Sequence, residues 1–281
     1  MKIAFFGTSQ FSVDVLNTLK ERDIVPDVIV TQPDKPRGRK MILTPPPVKE
    51  WAKKIKIFQP EKLDSTFVES LQAEKCDIFI LASYGKIIPK NILDLPTHGT
   101  LNIHPSLLPH YRGAAPLQEA ILHDDKKTGV TIMLMDELMD HGPILAQKEI
   151  PVLPWPPTVN TLSTILAQAG AKLLADILPD WLAGTLTPQP QDHTQATFTR
   201  KISKADGLLK ISDDPYKNFL KIQAYEGWPA TYFFATSTHT NKPVRIGIKK
   251  ATFADGKLIL QRIVPEGGKE IDFRAEDWIS Q

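Results

Sequence analysis

One cysteine, Cys76, stands in a chain of 281 residues. No intrachain disulfide can form, so a hydrophobic core has to hold the fold, and a reducing compartment suits it. A strong excess of either charge is missing too. The net charge is +2, which sets aside a polyanion binder built from the whole surface. What bias exists is regional, with residues 200–281 at +4 and residues 1–199 at −2. The opening, MKIAFFGTSQF, has an apolar run of only four residues, Ile3 to Phe6, before a glycine. That run is too short for a secretory leader or a membrane span and reads as a first strand. A cytoplasmic protein without membrane attachment is expected. Neither a G-x-G-x-x-G pattern nor a P-loop occurs, which argues against a dinucleotide or P-loop nucleotide site. His98, His104 and His110 recur at six-residue intervals, no ligand spacing known for metals, and no cysteine joins them. No metal is expected.

What is present is an ordinary globular composition, 42% apolar and 23% charged, with length enough for two domains. KIAFFG, DVIVTQ, CDIFILAS and GTLNIH read as strands. FSVDVLNTLKER, VKEWAKKIK, STFVESLQAEK (with Ser65 as N-cap) and APLQEAILHDD read as the helices between them. Such alternation predicts an α/β fold with a parallel sheet covered on both faces. TGVTIMLMD and GPILAQKEIPV read as an antiparallel pair because their connection is short. A long amphipathic helix follows and is expected to end at Pro179. TLTPQPQDHTQATFTRKIS, polar and without periodicity, is the best linker candidate. Beyond it come one helix and several short strands, the pattern of a small β-barrel-like domain.

Residues 101–116 read LNIHPSLLPHYRGAAP. In a strand alternate side chains share a face, so Asn102 and His104 point one way and Leu101 and Ile103 the other. The strand stops at Pro105, and ligand crevices of parallel sheets lie outside the carboxyl ends of strands. Taken alone, the pair fits two roles. It is a hydrogen-bonded structural plug, the commoner fate, or it donates to oxygen charge developing at an attacked carbonyl. The loop after it, with prolines and a glycine, reads as a rigid edge whose backbone amides are free for a ligand, and this favours the second role.

MDELMDHGPI places Asp136, Glu137 and Asp140 between two strands. Solvation alone accounts for any one acidic loop residue. A working imidazole still needs a carboxylate to hold its charged form, and Asp140, ahead of a His-Gly turn, is the one placed to fold inward. GTSQF leaves helix-start N–H groups open to an anion or a carbonyl. DKPRGRK gathers Lys35, Arg37, Arg39 and Lys40, either as a solvated loop or as phosphate contacts. Cys76 heads an apolar strand and reads as packed.

NIHPSLLPHYRGAAP together with TGVTIMLMDELMDHGPIL resembles the signature of the folate-dependent formyltransferases. The resemblance covers nearly the whole chain. It favours the branch whose acceptor is methionine carried on initiator tRNA, through TQPDKPRGRK…PPPVK (31–49), YGKIIP (84–89), GAAPLQEAI (113–121), TPQPQD and GWPATYF (227–233). It implies a Rossmann-like, mostly parallel α/β catalytic domain over 1–188, a linker over 189–203 and a small OB-like β-barrel domain over 204–281 that binds tRNA. Asn102, His104 and Asp140 are implied as the catalytic set. Ser106, Leu107, Leu108 and Pro109 line the folate site by the same resemblance, and backbone around Lys86 and Ile88, with the loop near Asp136, holds the pterin. Arg39 is implied at the acceptor stem, with Lys35, Arg37 and Lys40 on phosphates. Two features depart from that branch: a shorter C-terminal domain, and Pro143 where an acidic residue is common.

The chemistry so implied needs 10-formyltetrahydrofolate as co-substrate and no metal. The methionyl amine attacks the formyl carbon while Asn102 and His104 stabilise the oxyanion. Asp140 then moves the amine proton, through a water, toward the leaving nitrogen. The partners are formyl folate and methionyl initiator tRNA, and a monomer is expected. The alternative within the same chemistry is a sugar-nucleotide N-formyltransferase. From a different class, a non-catalytic RNA-binding module is the rival, and the three retained site residues argue against it.

Overall fold

The computed structural model describes residues 1–38, 40–238 and 241–280, the side chains of Arg37 and Ser280 excepted. The chain forms two compact units. One comprises Met1–Pro116, Lys127–Pro151 and Ser163–Thr199; the other comprises Leu117–Lys126, Val152–Leu162 and Arg200–Gln281. The division at 199/200 falls inside the segment expected to be a linker. Residues up to Thr199 belong to the first unit because their backbone and side chains bond to its loops.

The first unit is a seven-stranded sheet. Its order is Ile144–Glu149, Gly129–Leu134, Thr100–His104, Ile78–Ala82, Ile3–Gly7, Val28–Val30, Lys56–Phe58. The last five run parallel. Gly129–Leu134 is antiparallel to Thr100–His104, and Ile144–Glu149 is antiparallel to it in turn, as the short connection predicts. Lys56–Phe58 adds an edge strand too short for its period to be read in sequence.

Alternation along the strands feeds two cores. Ile3, Phe5, Ile78, Ile80, Leu101 and Ile103 pack on one face with Val15, Leu16 and Leu19 of the first helix. Ala4, Phe6, Phe79 and Leu81 pack on the other with Phe67, Leu71, Tyr84 and Ile92. Truncating one of these buried aliphatic side chains to alanine costs about 2–5 kcal/mol. Cys76 lies buried beside the second core, and burial pushes its thiol up to about 11. Leu101 and Ile103 face the first core, so Asn102 and His104 face the opposite side of the sheet.

Helix assignments differ from expectation in three places, and the first is VKEWAKKIK, which is helical only over Pro47–Trp51 and gives its Lys56 to a strand. The helix Ser65–Gln72 is capped by Asp64, whose carboxylate accepts from the Phe67 N–H, and Ser65 is its first residue. The long helix Val159–Leu182 runs through Pro179 instead of ending there. Near a C-terminus proline forfeits one backbone hydrogen bond, and the helix still closes with Ala183 N–H on the Pro179 carbonyl at 3.0 Å. This helix has the length and hydropathy of a membrane span. Its Ala167, Ala171, Leu174 and Leu178, however, pack into the first core.

The second unit carries a five-stranded antiparallel sheet, ordered Ile271–Asp272, Lys257–Pro265, Pro243–Ala254, Tyr232–Ser237, Trp278–Ser280. Its small core holds Leu209, Phe233, Ala235, Ile246, Ile248 and Ile263. The two long strands are joined at Asp255-Gly256, with φ of 51° and 72°. Positive φ at both positions is what a tight primed hairpin turn demands, and it explains the Asp-Gly pair. The helix Pro215–Ala224 starts with Pro at N1 under an Asp214 cap to Lys217 N–H.

Candidate active site

Asn102 and His104 end a strand buried along its whole length, and both are almost inaccessible, at 5% and 4% exposure. Asp140 reaches them from the connection between the antiparallel strands. Its Oδ1 lies 3.3 Å from Asn102 Nδ2 and 3.5 Å from His104 Nδ1. Its Oδ2 accepts the Gly113 N–H at 2.7 Å. The three expected catalytic side chains are therefore brought together.

The other ring nitrogen fixes the tautomer. His104 Nε2 is 3.0 Å from the Tyr111 carbonyl, which can only accept, so Nε2 carries a hydrogen. Nδ1 is left facing Asp140, whose Oδ1 also meets Asn102 Nδ2. Both contacts on that side are long for hydrogen bonds, whereas those holding the two ends, Tyr111 O and Gly113 N, are normal. Asp140 and Tyr111 adopt left-handed backbone, φ 48° and 59°. For a bulky aromatic this is an unfavourable conformation that surrounding structure must enforce.

The SLLP loop departs from expectation in one respect. Its backbone amides are largely occupied by the protein itself. Ser106 N donates to His104 O, His110 N to Leu107 O, and Arg112 N to Thr197 O. Leu108 N donates to Thr131 Oγ1, Tyr111 N to Thr197 Oγ1, and Ala115 N to Thr199 Oγ1. A loop leaving a sheet cannot bury its polar backbone without such partners. Thr131, fully buried, is the hub, since its Oγ1 also donates to Ser106 O and accepts from Gln147 Nε2. Ser106 and Leu108 are buried, while Leu107 and Pro109 are half-buried. The loop is thus a braced wall, and what it presents is shape more than free donors.

The remaining expected residues are spread more widely. Lys86 Nζ donates to the carbonyls of Pro60 and Glu61 at 2.7 and 2.8 Å, and burial lowers its pKa, with Lys35 adding to the effect. Ile88 is buried beside Tyr84 in the second core. Asp136 accepts from Leu138 N at 3.0 Å and contacts His141 Nδ1 at 2.6 Å. It borders a cavity of about 310 Å³ with Lys90, Leu93, Asp94, Met135, Glu137 and Leu138. A larger cavity, about 590 Å³, lies between Phe58 and Ser70. Neither is lined by Asn102, His104 or Asp140, so volume alone does not find this site.

The turn after the first strand is also committed. Thr8 N donates to Ser83 O at 3.1 Å and to Ser12 Oγ at 3.0 Å, and Ser9 Oγ donates to Ser83 Oγ. The basic segment forms a hairpin of Lys35–Arg37 against Ile42–Thr44. Arg39, expected at the acceptor stem, lies outside the described residues. Met41, Ile42 and Leu43 are exposed on the hairpin. Lys49 anchors its base to Asp34 at 2.9 Å, and hydrogen bonds from Gln59 and Lys49 hold the Asp34 carboxyl below its ordinary value. Among the described residues no cluster of three or more His, Cys, Asp or Glu is arranged for a metal ion.

Several contributors were not legible beforehand. Tyr111 acts through its carbonyl, Gly113 through its N–H, and Gln191 through both ends of its amide. Gln191 lies in the polar stretch that reads as a linker, yet it is buried at 6% exposure. Gly113 has φ +114°, and a Cβ there would lie 2.5 Å from Thr199 O. Glycine is therefore required where the N–H meets Asp140.

Comparison with known proteins gives a consistent picture. A family model described as formyl transferase matches residues 1–178. A Listeria monocytogenes protein named methionyl-tRNA formyltransferase is 43% identical over 260 residues, 91% of this chain and 80% of its own. A Bacillus subtilis protein of the same name is 37% identical over 300 residues, 99% of this chain and 94% of its own. Among solved structures, methionyl-tRNA formyltransferase from Clostridium thermocellum is similar with a TM-score of 0.63 at 18% identity, covering 97% of this chain and 100% of that one. At that identity the likeness speaks for the fold.

Proposed function

Because the chain belongs to the formyl transferase family, we propose that it transfers the formyl group of 10-formyltetrahydrofolate to the α-amine of methionine carried on initiator tRNA. The observation that carries the catalytic part is the convergence of Asn102 Nδ2 and His104 Nδ1 on Asp140 Oδ1 at 3.3 and 3.5 Å, with His104 and Asp140 each held from the far side. Contacts of that length leave room for a substrate oxygen to draw them together.

Asn102 donates an amide N–H to the formyl oxygen as it becomes an oxyanion, and the imidazolium form of His104 donates from Nδ1. Donors fixed in advance are worth more than water at that moment, because they need no reorganisation. Asp140 balances the imidazolium and, through a water, carries the proton lost by the amine toward the departing folate nitrogen. The braced wall of Ser106, Leu107, Leu108 and Pro109 holds the donor. Lys86, Ile88 and Asp136 shape the pterin end, and much of the remaining rate comes from keeping amine and formyl carbon in line.

On the tRNA side, Arg39 meets the acceptor stem and Lys35, Arg37 and Lys40 neutralise phosphates. Residues 204–281 form the OB-like, tRNA-binding domain after a catalytic domain over 1–188 and a linker over 189–203. The enzyme works as a cytoplasmic monomer with no membrane attachment.

The test is a choice of acceptor. The purified full chain is incubated with 10-formyltetrahydrofolate and either methionyl initiator tRNA or an amino-sugar nucleotide. Formyl-methionyl-tRNA is the expected product. Formylation of the sugar alone overturns the acceptor, and formylation of neither overturns the activity.

A further inference from the structure

Asp140 is held by its backbone as well as by its carboxylate. Its carbonyl accepts from Gln191 Nε2 at 2.9 Å, and the Gly142 carbonyl accepts from the same nitrogen at 2.7 Å. At the other end of the amide, Gln191 Oε1 accepts from Arg112 Nε at 3.2 Å and Nη2 at 2.6 Å. Both amide hydrogens and both lone pairs are thereby used. Arg112 is 3% exposed, and its further partners are His193 Nδ1 at 2.9 Å and the Phe198 ring, 5.9 Å from the guanidinium carbon. A guanidinium can only donate, so His193 presents a lone pair. The His193 ring stacks on His141 with centroids 4.0 Å apart.

The hydrogen bonds of this buried arginine go to neutral groups, and the nearby Asp140 and Asp136 charges offset only part of the cost of burying it. Here it fixes the orientation of one amide, which in turn fixes two carbonyls flanking His141. The backbone is close-packed at this turn, since a Cβ on Gly142 would lie 2.0 Å from Leu134 O. Asp140 sits at φ 48°, a backbone state that needs outside support.

We propose that Gln191, oriented by Arg112, is a positioning residue for the reaction: it clamps the Asp140 and Gly142 carbonyls and so sets the Asp140 carboxylate against Asn102 and His104. The segment expected to be a plain linker thus completes the catalytic unit. The activity arm of the test rests on the formyl-transfer reading; the structural arm does not.

The variant that separates the two halves of the amide is Gln191→Glu. Its carboxylate still accepts from Arg112 but cannot donate to the two carbonyls, so the Arg112 half is kept while the clamp is lost. Gln191→Ala removes both halves. Gln189→Ala is the control, because that side chain is exposed and, among the described residues, its hydrogen bond is to the Thr187 carbonyl, while its bridge to Ile144 is made by backbone alone. Expected for Gln191→Glu is a kcat about 10- to 100-fold lower, the scale of a small misplacement. KM for 10-formyltetrahydrofolate stays near that of the unaltered protein, while the melting temperature falls because the two carbonyls lose their donor.

The readout independent of activity is hydrogen exchange at the Gly113 amide, which is protected by Asp140 Oδ2 at 2.7 Å. It should accelerate in Gln191→Glu and not in Gln189→Ala. A normal kcat in Gln191→Glu, or a reduced one with Gly113 protection intact, overturns the proposal. Should the unaltered chain formylate nothing, the functional reading fails, and Gly113 exchange still decides whether Gln191 positions Asp140.

Discussion

His104 gives its Nε2 hydrogen to the carbonyl of Tyr111 across 3.0 Å, and this single bond decides which face of the imidazole can work. With Nε2 committed, Nδ1 is the nitrogen that faces Asp140, whose Oδ1 also meets Asn102 Nδ2. Tyr111 supplies that carbonyl from a left-handed conformation, φ 59°. The loop SLLPHY therefore orients the ring from below while Asp140 faces it from the side. Strain of this kind persists only where neighbouring hydrogen bonds enforce it, and Tyr111 N on Thr197 Oγ1 at 2.8 Å is one of them.

If Nδ1 is the donor to the oxyanion, removing it must cost rate and little else. His104→Ala is expected to lower kcat by about 100- to 1,000-fold, the usual scale for one oxyanion donor, and Asp140→Asn by about 100- to 10,000-fold, the scale for a positioned proton carrier. Circular dichroism and the affinity for formyl folate should change little. Near-normal turnover in either variant would show that the triad is not catalytic.

The legibility of this site follows from range along the chain. Leu101, Asn102, Ile103 and His104 were readable because a strand has period two and the apolar pair fixes which side the polar pair takes. Asp140 was readable less directly, through what an imidazole requires. Gln191 was not, since it meets Asp140 across 51 positions and sits among prolines and polar residues without periodicity. Composition there says loop, and only the fold reveals that the loop's side chains point inward. The edge strands Ile271–Asp272 and Trp278–Ser280 escaped for another reason, being two and three residues long, too short to show any period.

Gly113→Ala tests the backbone half of the site. The new Cβ would meet Thr199 O at 2.5 Å, and φ of +114° is unfavourable for alanine. The strand pairing of Arg112–Gly113 with Phe198–Thr199 must then open. A lowered melting temperature is expected together with a lowered kcat, because the same shift pulls the N–H away from Asp140. A stable variant with full activity would mean that the Gly113 contact is dispensable.

Replacing Lys35, Arg37, Arg39 and Lys40 together by alanine should raise KM for methionyl-tRNA and leave KM for formyl folate unchanged. Each lost phosphate contact should also flatten the salt dependence of tRNA binding, by about one in the log–log slope. Lys49 is kept in this variant because its ion pair with Asp34 anchors the hairpin. A change in folate KM with tRNA affinity intact would place the segment at the donor site instead.

Stability of the second unit should depend on pH through Asp206. Its carboxylate is bonded by the Arg200 guanidinium, by Ser203 N at 2.7 Å and by Ser203 Oγ at 2.9 Å. The Arg200 bond is the largest cause and holds the carboxyl well below its ordinary range. The sign follows from linkage. A group that is more acidic folded than unfolded stabilises the fold above its unfolded value, about 3.9, and loses that contribution as pH falls toward the folded one. Arg200 is 66% exposed, so solvent screening trims the effect without changing its direction. Urea unfolding of Asp206→Asn should therefore show a deficit against the unaltered protein at pH 7 that shrinks as the pH is lowered below about 4. A deficit that stays constant across that window would mean that Asp206 acts by shape and hydrogen-bond count alone, with its charge contributing nothing.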